Sequence, residues 1–527
     1  MQDQNVDRRD FLKTGAAAAA AGSAFALPAA SYANIDGANN RIGIAFIGVG
    51  GRCQQHIGAV KSLQQANPNN VRTVAVCDVW DGDETLGRGR GRGLYPSARK
   101  CGLQADDRRH VTKDYRRILD LNEVDAVCIA TPDHWHAKQS IDAMAAGKHV
   151  YCEKPMTKTI EEAQAIVAAK ARFRKVMTVG VQSMADPRWR AAHEFIRRGN
   201  IGHVAQAQTS YYRNSTVGQW RYYPLKRETM TPQKIDWNMW LGTGFSVIPG
   251  VPLAANRPFD RAVWAQWRCY WDFGGGMFTD LFVHQTTHMI AAMGVRYPAR
   301  VVGGGGIYLE YDGRDVPDVA TVVADYNEGC QLIVTATMIN NHKIEECIRG
   351  HTATVLFKDR TRQVNGRNVT ERGFEVISQN IGNRPQGPGG QQAGNNEFHV
   401  TGEPQDDTKA LWENFLSCCR ANNADTLSTP ELGAAAFTTV NMGVLSYRFG
   451  QALHWDAENK ETAPANGTWA SQWERRSEQR GNPNQILGWE GGNRGSTLTP
   501  PDYQSLEGPW VNGVDPAGNR TSTNGDS

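Results

Sequence analysis

Short apolar runs alternate with amphipathic segments along the chain from about residue 40 to residue 180. The runs have the length of buried strands, and the segments between them repeat apolar residues at helical spacing. The runs are RIGIAFIGVG, VRTVAVCDVW, DAVCIATP, HVYCEKP and VMTVGVQ. Strands that alternate with helices in this way are typical of a parallel sheet covered on both faces. We therefore predict a doubly wound α/β domain over residues 40–180.

The pattern changes to longer strands separated by turn residues after about residue 181. Such strands are typical of an antiparallel sheet. We predict an α+β domain with a large, mostly antiparallel open sheet over residues 181–455, which serves substrate binding and oligomerisation. Two helical stretches near residues 405–450 are expected to pack back on the first domain. Residues 456–527, rich in Gly, Asn and Trp, indicate a C-terminal arm that is extended or partly disordered.

The first 33 residues have the pattern of an export signal. DRRDFLK contains paired arginines, and the alanine-rich run TGAAAAAAGSAFALPAA that follows is too short and too weakly apolar for a stable membrane span. Together with small residues near Ala26 and Ala33, this pattern indicates a twin-arginine (Tat) signal. We expect the Tat machinery as a partner and a periplasmic or exported location, with a membrane tether if the signal is not cleaved.

Composition narrows the function classes further. The 57 basic and 54 acidic residues leave a net charge of +3, so no general field attracts nucleic acid, and we predict no nucleic-acid partner. The ten cysteines show no disulfide-framework spacing, and several lie in apolar runs. We interpret them as buried thiols.

A glycine-rich turn, FIGVGGR, ends the first predicted strand. A dinucleotide-binding fold needs glycines here because backbone N–H groups and a helix N-terminus must approach a pyrophosphate. Cys53 stands where the third glycine of G-x-G-x-x-G is usual, so a plain tight turn remains an alternative. The turn predicts a Rossmann-like domain with NAD or NADP as cofactor, NAD being favoured. Its predicted cofactor contacts are Gly48, Gly50, Gly51 and Arg52.

Two features after the second strand bear on the cofactor's ribose. Asp78 ends that strand, where a carboxylate accepts hydrogen bonds from a ribose diol or serves only as a helix cap. The loop GRGRGRG then supplies Arg88, Arg90 and Arg92. These arginines either hold a 2′-phosphate, which would make the cofactor NADP, or form a solvated loop, which we favour.

The segment ATPDHWHA follows the next core strand. One interpretation places Thr131 and Pro132 along the cofactor and His134 and His136 near its reactive ring. The alternative is a turn and helix start, with Asp133 as the cap.

The segment HVYCEKP places Lys154 between Glu153 and Pro155 at the carboxyl end of a parallel strand, where ligands bind in such sheets. Pro155 fixes the turn and permits a cis bond. We predict that Lys154 contacts both cofactor and substrate, and that Glu153 lies in the cofactor site.

A glycine triplet in WRCYWDFGGGMFTDLFVHQTTHM leads into a predicted helix with Asp280, His284 and His288 at i, i+4 and i+8 on one face. Asp280 and His284 are candidates to act on a substrate hydroxyl. Metal binding by the two histidines is disfavoured because no further ligand is evident, so we predict no metal. A plain polar helix face is the third interpretation.

The series strand-GxG, ATP, EKP and WDFGGG followed by D-x3-H resembles the Gfo/Idh/MocA (glucose–fructose oxidoreductase/inositol dehydrogenase) family over roughly residues 41–455. The resemblance implies that Lys154, Asp280 and His284 converge beside the nicotinamide as catalytic residues. In members of that family an aspartate is often found at the position that corresponds to His288. The substrate contacts expected on this basis, together with the local density of aromatic residues, are Lys154, Trp271, Asp280, His284 and His288.

The resemblance implies hydride transfer between nicotinamide and a carbohydrate or polyol hydroxyl carbon. His284 would be the general base, Lys154 a polarising cation and Asp280 the residue that orients both. An exported protein meets no useful pool of free NAD(P), so we expect a tightly held, internally recycled cofactor. The alternatives are a redox-neutral NAD-dependent glycosidase or lyase and a sugar-binding protein with a vestigial nucleotide fold. A homo-oligomer formed through the open sheet face is also expected.

Overall fold

The structure is a computed structural model that describes residues 41–379 and 396–472. The predicted signal over residues 1–33 and the greater part of the predicted arm lie outside these residues. In the part described, no helix is both long enough and apolar enough to cross a lipid bilayer.

The first domain is built on a six-stranded sheet in which every neighbouring pair is parallel. The strand order is β3-β2-β1-β4-β5-β6, which is doubly wound about β1 and confirms the predicted fold class. Its strands are β1 (Ile42–Ile47), β2 (Val71–Cys77), β3 (Val111–Thr112), β4 (Ala126–Ile129), β5 (His149–Glu153) and β6 (Met177–Gly180). Its helices are α1 (Cys53–Ala66), α2 (Leu86–Gly89), α3 (Leu94–Lys100), α4 (Tyr115–Leu119), α5 (Asp133–Ala145) and α6 (Ile160–Phe173).

The second sheet has ten strands in the order β14-β13-β12-β11-β7-β10-β9-β8-β15-β16. All its pairs are antiparallel except β7 with β10, so the mostly antiparallel prediction is confirmed. Its strands are β7 (Val204–Ser210), β8 (Arg300–Gly306), β9 (Val319–Tyr326), β10 (Cys330–Thr337), β11 (Cys347–Gly350), β12 (Ala353–Val364), β13 (Arg367–Ser378), β14 (Glu397–Gly402), β15 (Leu453–Asp456) and β16 (Glu461–Pro464).

Seven further α-helices follow β6 in the part of the chain that the structure describes. They are α7 (Arg188–Arg197), α8 (Trp237–Leu241), α9 (Arg261–Ala265), α10 (Gly276–Asp280), α11 (Phe282–Met293), α12 (Asp407–Ala421) and α13 (Pro430–Phe449). Helix α12 packs on α1 of the first domain, where Trp412 Nε1 donates to His56 Nδ1 at 3.0 Å. Helix α13 contacts both α6 and β8, and a Cβ at Gly303 of β8 would lie 2.0 Å from the carbonyl oxygen of Gly443. Glycine at position 303 therefore permits the close approach of this helix to the sheet.

The segment predicted as one helix through Asp280 and His284 is interrupted. Helix α10 ends at Asp280, α11 begins at Phe282, and Leu281 between them has φ −108° and ψ −49°. The His284 amide donates to the Leu281 carbonyl at 3.2 Å, and the Asp280 carbonyl accepts from Lys154 Nζ instead. The interruption thus frees a backbone acceptor for the lysine.

Candidate functional site

A cleft of about 1200 Å³, including its open mouth, lies at the carboxyl ends of the parallel strands. This is the edge at which ligands bind in doubly wound sheets. Seven of the predicted cofactor-binding residues line the cleft: Gly48, Gly50, Gly51, Arg52, Asp78, Thr131 and Pro132.

The glycine turn leaves the backbone open towards this cleft. Gly48 has φ +80°, and a Cβ there would lie 2.6 Å from the Thr131 amide nitrogen. A Cβ at Gly50 would meet nothing within 4 Å, so space for a ligand adjoins the turn. Cys53, at the place of the third glycine, is fully buried in the core of the first domain. The turn fits a pyrophosphate approached by backbone amides and by the start of α1.

Asp78 lies half-buried at the end of β2 and accepts a hydrogen bond from the Trp80 amide at 2.9 Å. Burial raises its pKa to about 6 against the lowering effect of that bond and of Lys113. Of the predicted arginine loop, Arg90 is exposed, whereas Arg92 lines the cleft with its guanidinium against Gly51. The solvated-loop interpretation therefore does not fit Arg92.

Glu153, at the end of β5, is bound by three side chains. Its Oε1 accepts from Arg52 Nε and His56 Nε2 at 2.8 Å each and from Gln182 Nε2 at 2.9 Å. Burial alone would raise the pKa of Glu153, but the Arg52 charge and the His56 hydrogen bond hold it well below its ordinary value. Because Trp412 donates to the other His56 nitrogen, His56 carries its proton on Nε2 and points it at Glu153.

Lys154 and Asp280 form a buried ion pair. Lys154 Nζ donates to Asp280 Oδ1 at 2.8 Å and to the Asp280 carbonyl at 2.7 Å, and the two side chains are 11% and 8% exposed. Arg268 Nε donates to the same Oδ1 at 2.9 Å. Burial would raise the pKa of Asp280, but these two cations hold it far below its ordinary value. Since Arg268 lines the cleft, the ion pair adjoins the nucleotide site.

His284 lies close enough to this ion pair for its charges to act on the imidazole. Burial, and then the Lys154 charge, lower its pKa to about 3. Its ring centroid is 6.0 Å from that of Tyr211, and no hydrogen bond to its ring nitrogens comes from the residues that the structure describes. The imidazole is therefore neutral at physiological pH, and a pKa this low makes it a weak base in the cofactor-free protein.

Two residues beside the site, Arg268 and Asp133, are absent from the predicted site residues. The alternative interpretation of Asp133 as a helix cap is wrong, because Pro132 is the N-cap of α5 and no side-chain capping bond is formed. The Asp133 side chain is buried, which raises its pKa well above the ordinary value, against the lowering effect of the Arg268 charge. The only sequence signal for Asp133 was its place after a strand end, and Arg268 had none.

Eight predicted residues lie outside the cleft lining: Glu153, Lys154, Asp280 and His284, whose contacts are given above, and four others. His134 Nε2 bonds to the Trp240 carbonyl at 2.8 Å, and His136 bonds to the Pro155 and Thr131 carbonyls. These two histidines are fully buried and join main-chain segments around the site. The remaining two are Trp271 and His288.

Trp271 packs near Tyr447 and lies beneath the guanidinium of Arg448. His288 stacks on Trp189 with ring centroids 3.9 Å apart and bonds to Glu346 Oε1 at 2.8 Å. Every contact described for His288 is to protein, and the side chain is 4% exposed. Neither residue is brought to the cleft. Over residues 41–379 and 396–472, no group of three or more His, Cys, Asp or Glu side chains could hold a metal ion.

Comparison with known proteins gives a match for the first domain and a match for the N-terminal signal. Residues 42–181 match the oxidoreductase family with an NAD-binding Rossmann fold, Gfo/Idh/MocA, and residues 5–25 match the twin-arginine translocation signal sequence. The chain thus carries an export signal ahead of its nucleotide-binding domain.

Two curated relatives and one solved structure illustrate the similarity. Levoglucosan dehydrogenase of Pseudarthrobacter phenanthrenivorans is 35% identical over 115 residues, which is 22% of this chain and 28% of that protein. A glycosyl hydrolase family 109 protein of Shewanella pealeana is 27% identical over 245 residues, 41% of this chain and 50% of the relative. The chain therefore spans half or less of the length of these curated relatives.

The crystal structure of aldose-aldose oxidoreductase from Caulobacter crescentus, complexed with glycerol, superposes with a TM-score of 0.53 at 17% identity. The match covers 79% of this chain and 99% of that one, and at this identity it shows a shared fold. Residues 42–181, which form the doubly wound sheet, are thus similar to the NAD-binding Rossmann domain of the Gfo/Idh/MocA oxidoreductase family.

Proposed function

We propose that this protein is an NAD-dependent oxidoreductase that moves a hydride between nicotinamide and a hydroxyl-bearing carbon of a carbohydrate or polyol. The observation that carries the proposal is the Lys154–Asp280 ion pair, joined through Arg268 to the cleft that the glycine turn lines. The neutral His284 beside it supplies the proton acceptor that oxidation of a hydroxyl requires.

The protein's part in the reaction follows from these contacts. The nicotinamide, when bound, supplies the hydride chemistry. Lys154 Nζ uses two of its three N–H donors on Asp280, so the third remains to bind and polarise the substrate oxygen. His284 accepts the hydroxyl proton, and Asp280 fixes Lys154 in place. The arrangement orients the substrate and holds the proton at one defined atom.

A segment of the second domain supports the proposal of a tightly held cofactor. Residues 224–268, which we call the strap, contribute cleft-lining side chains that include Met230, Trp240 and Trp264. The strap is hydrogen-bonded to the rim of the first domain. Its bonds are Asp81 N to Lys234 O (3.0 Å), Asp236 N to Val79 O (2.9 Å), Trp80 Nε1 to Thr229 O (2.8 Å), Thr229 Oγ1 to Asp83 Oδ2 (2.7 Å) and Trp135 Nε1 to Trp240 O (2.8 Å).

A dinucleotide seated in the cleft would leave only after these bonds open. Retention through the strap suits an exported enzyme, which reduces and reoxidises one cofactor in place. The name of the Caulobacter crescentus relative, aldose-aldose oxidoreductase, is consistent with redox exchange between two sugars.

NAD is favoured over NADP by the acidic end of β2. A carboxylate at Asp78 accepts hydrogen bonds from a ribose 2′-hydroxyl, and its charge opposes a 2′-phosphate. Arg92 and Lys113 also line this part of the cleft, so the preference is expected to be modest.

A redox-neutral glycosidase is the second candidate, and the family 109 relative is the observation that favours it. Such an enzyme would use the same nicotinamide and Lys154–Asp280 pair to oxidise a sugar transiently, and would release a hydrolysed product.

We also propose that the protein forms a homo-oligomer through the open face of the ten-stranded sheet. This face carries the apolar residues Val323 and Ile333.

The test is to purify the folded full-length protein, denature it, and identify any released nicotinamide by mass spectrometry. Sugars are then added singly and in pairs to the intact protein while near-ultraviolet absorbance and products are followed. Bound NAD that is reduced by one sugar and reoxidised by a second supports the proposal. Hydrolysis of a glycoside without net oxidation would favour the glycosidase instead. Protein without nicotinamide, inert also when NAD is supplied, would overturn both.

A further inference from the structure

Cations on the substrate side of the site share few acidic partners. Lys154 and Arg268 both contact one carboxylate, Asp280, through the same oxygen. Asp133 is buried, and burial raises its pKa well above the ordinary value against the lowering effect of the Arg268 charge. The carboxylate of Glu153, next to Lys154 in the chain, is bound by Arg52 and His56.

Arg213 adds a third cation on the far side of His284. Its guanidinium lies 4.8 Å from the ring centroid of Tyr211, the residue whose ring approaches His284. Arg213 Nη2 donates to the Tyr211 hydroxyl at 2.7 Å, and Nη1 donates to the Gln219 amide oxygen at 3.0 Å. Both acceptors are neutral, and no carboxylate lies within 4.0 Å of Arg213 among the residues that the structure describes.

Arg268 presents free donors to the cleft. Its Nε is bound to Asp280, while neither Nη group has a hydrogen-bond partner in the described part of the chain. The guanidinium is stacked 4.1 Å from the ring of Trp267, which fixes its plane, and the side chain is 23% exposed. A guanidinium fixed in this way is suited to the fork-like binding of a carboxylate or phosphate.

Tyr222 connects the two arginines. Its hydroxyl lies 3.2 Å from the Gln219 amide oxygen that Arg213 also binds. Burial raises the pKa of Tyr222 to about 12, and the charges of Arg213 and Arg268 both act to lower it. Arg268 thus contacts the Lys154–Asp280 pair directly, and Arg213 lies against Tyr211, whose ring approaches His284.

We infer that the substrate is an anionic sugar, whose carboxylate or phosphate is held by Arg213 and Arg268 while its reacting hydroxyl lies at Lys154 and His284. The inference rests on the proposed function for the role of the hydroxyl. The binding of the anion itself does not depend on that role. An anion at this place would accept hydrogen bonds from the free N–H groups of Arg268 and would give Arg213 an acidic partner.

The test is calorimetric titration of the full-length protein as purified, with its own cofactor. The acids are D-glucuronate, D-galacturonate and D-gluconate, each compared with its neutral counterpart D-glucose, D-galactose or D-glucitol, and D-glucose 6-phosphate is the phosphate probe. At least one acid or the phosphate is expected to bind about tenfold or more tightly than its neutral counterpart, because hydrogen bonds to charged groups are strong. Which probe binds most tightly distinguishes carboxylate from phosphate.

The variant R213Q should reduce that preference about tenfold, whereas R367Q, on the exposed β12–β13 hairpin, should leave it unchanged. Equal or tighter binding of every neutral counterpart by the wild-type protein would overturn the inference, and this comparison needs no variant. Near-ultraviolet absorbance recorded in the same titrations reports on the proposed function separately. Selective binding of an acid without any reduction of nicotinamide would support anion recognition and count against the oxidoreductase proposal.

Discussion

Lys154 Nζ lies 2.8 Å from Asp280 Oδ1 and 2.7 Å from the carbonyl oxygen of the same residue, across 126 positions of sequence. Both acceptors are available because the helix is interrupted after Asp280. The lysine is therefore held by a charge and by a main-chain dipole, next to the cleft that carries the glycine turn.

Replacing Lys154 with methionine should abolish turnover without emptying the cofactor site. The variant K154M keeps the side-chain length but removes the charge that polarises the substrate oxygen, so kcat/KM should fall at least about 100-fold. Nicotinamide content, measured after denaturation, should stay near the wild-type value. K138M, which removes the surface lysine that pairs with Asp142 on α5, is the matched control. Activity of K154M within twofold of wild type would remove Lys154 from the mechanism.

The rate of nicotinamide reduction should not fall near pH 6.5, where an ordinary histidine becomes protonated. His284 has its pKa lowered from 6.5 to about 3, so it stays neutral as the pH falls through 6.5. Between these two pH values the folded protein binds fewer protons at His284 than the unfolded chain does. The contribution of His284 to the free energy of unfolding is therefore fully present above pH 6.5 and is lost as the pH falls towards 3. The rate of reduction of bound nicotinamide, measured in stopped flow from pH 5 upward, should show no His284 midpoint near 6.5. A midpoint at that pH that disappears in H284N would contradict this assignment.

Cofactor retention should depend on pH through Asp78. The ionised carboxylate accepts hydrogen bonds from the ribose hydroxyls. Because its pKa is about 6 in the cofactor-free protein, lowering the pH protonates it and weakens these bonds. NAD affinity should therefore fall as the pH decreases below about 6. The amount of NAD retained after gel filtration at pH 5 and pH 8 measures this. D78N should retain less NAD at pH 8 and show little further loss at pH 5, and an unchanged pH dependence in D78N would exclude Asp78.

Weakening the strap should speed cofactor release. Trp80→Phe removes the hydrogen bond to Thr229 O, and Thr229→Val removes the bond to Asp83. Each loss should increase the nicotinamide dissociation rate about fivefold, which is the usual net value of one hydrogen bond. Release is followed by trapping free NAD with a soluble dehydrogenase. T361V, on an exposed strand of the distant hairpin, serves as the control. Equal rates in all four proteins would show that the strap does not retain the cofactor.

Substitution of His288 should affect stability more than catalysis. His288→Ala removes the bond to Glu346 and the stack on Trp189, so the free energy of unfolding should fall by about 1–3 kcal/mol. KM and kcat should change little because these contacts lie away from the cleft. A lower Tm with wild-type kinetics is the expected outcome. A large rise in KM without loss of Tm would restore the substrate contact predicted from sequence.

The local sequence pattern was sufficient to predict the architecture and part of the candidate site. The alternation of buried strands with helices led to the doubly wound sheet, because a strand buried on both faces must be apolar along its length. The glycine turn, Lys154 after β5 and the Asp280–His284 spacing each follow from positions at strand or helix ends. Each of these features is a motif of only a few consecutive residues, so it can be recognised in a single sequence.

The charge environment of the site was decided by the tertiary structure. Arg213 and Arg268 come from a loop and a short helical turn with no recognisable motif, and their importance arises only when folding places them beside Asp280. Asp133 shows the converse, since the helix cap that its sequence position suggests is not formed and its side chain is buried. Periodicity records which face of an element is buried, whereas solvation and charge depend on groups brought together from distant parts of the chain.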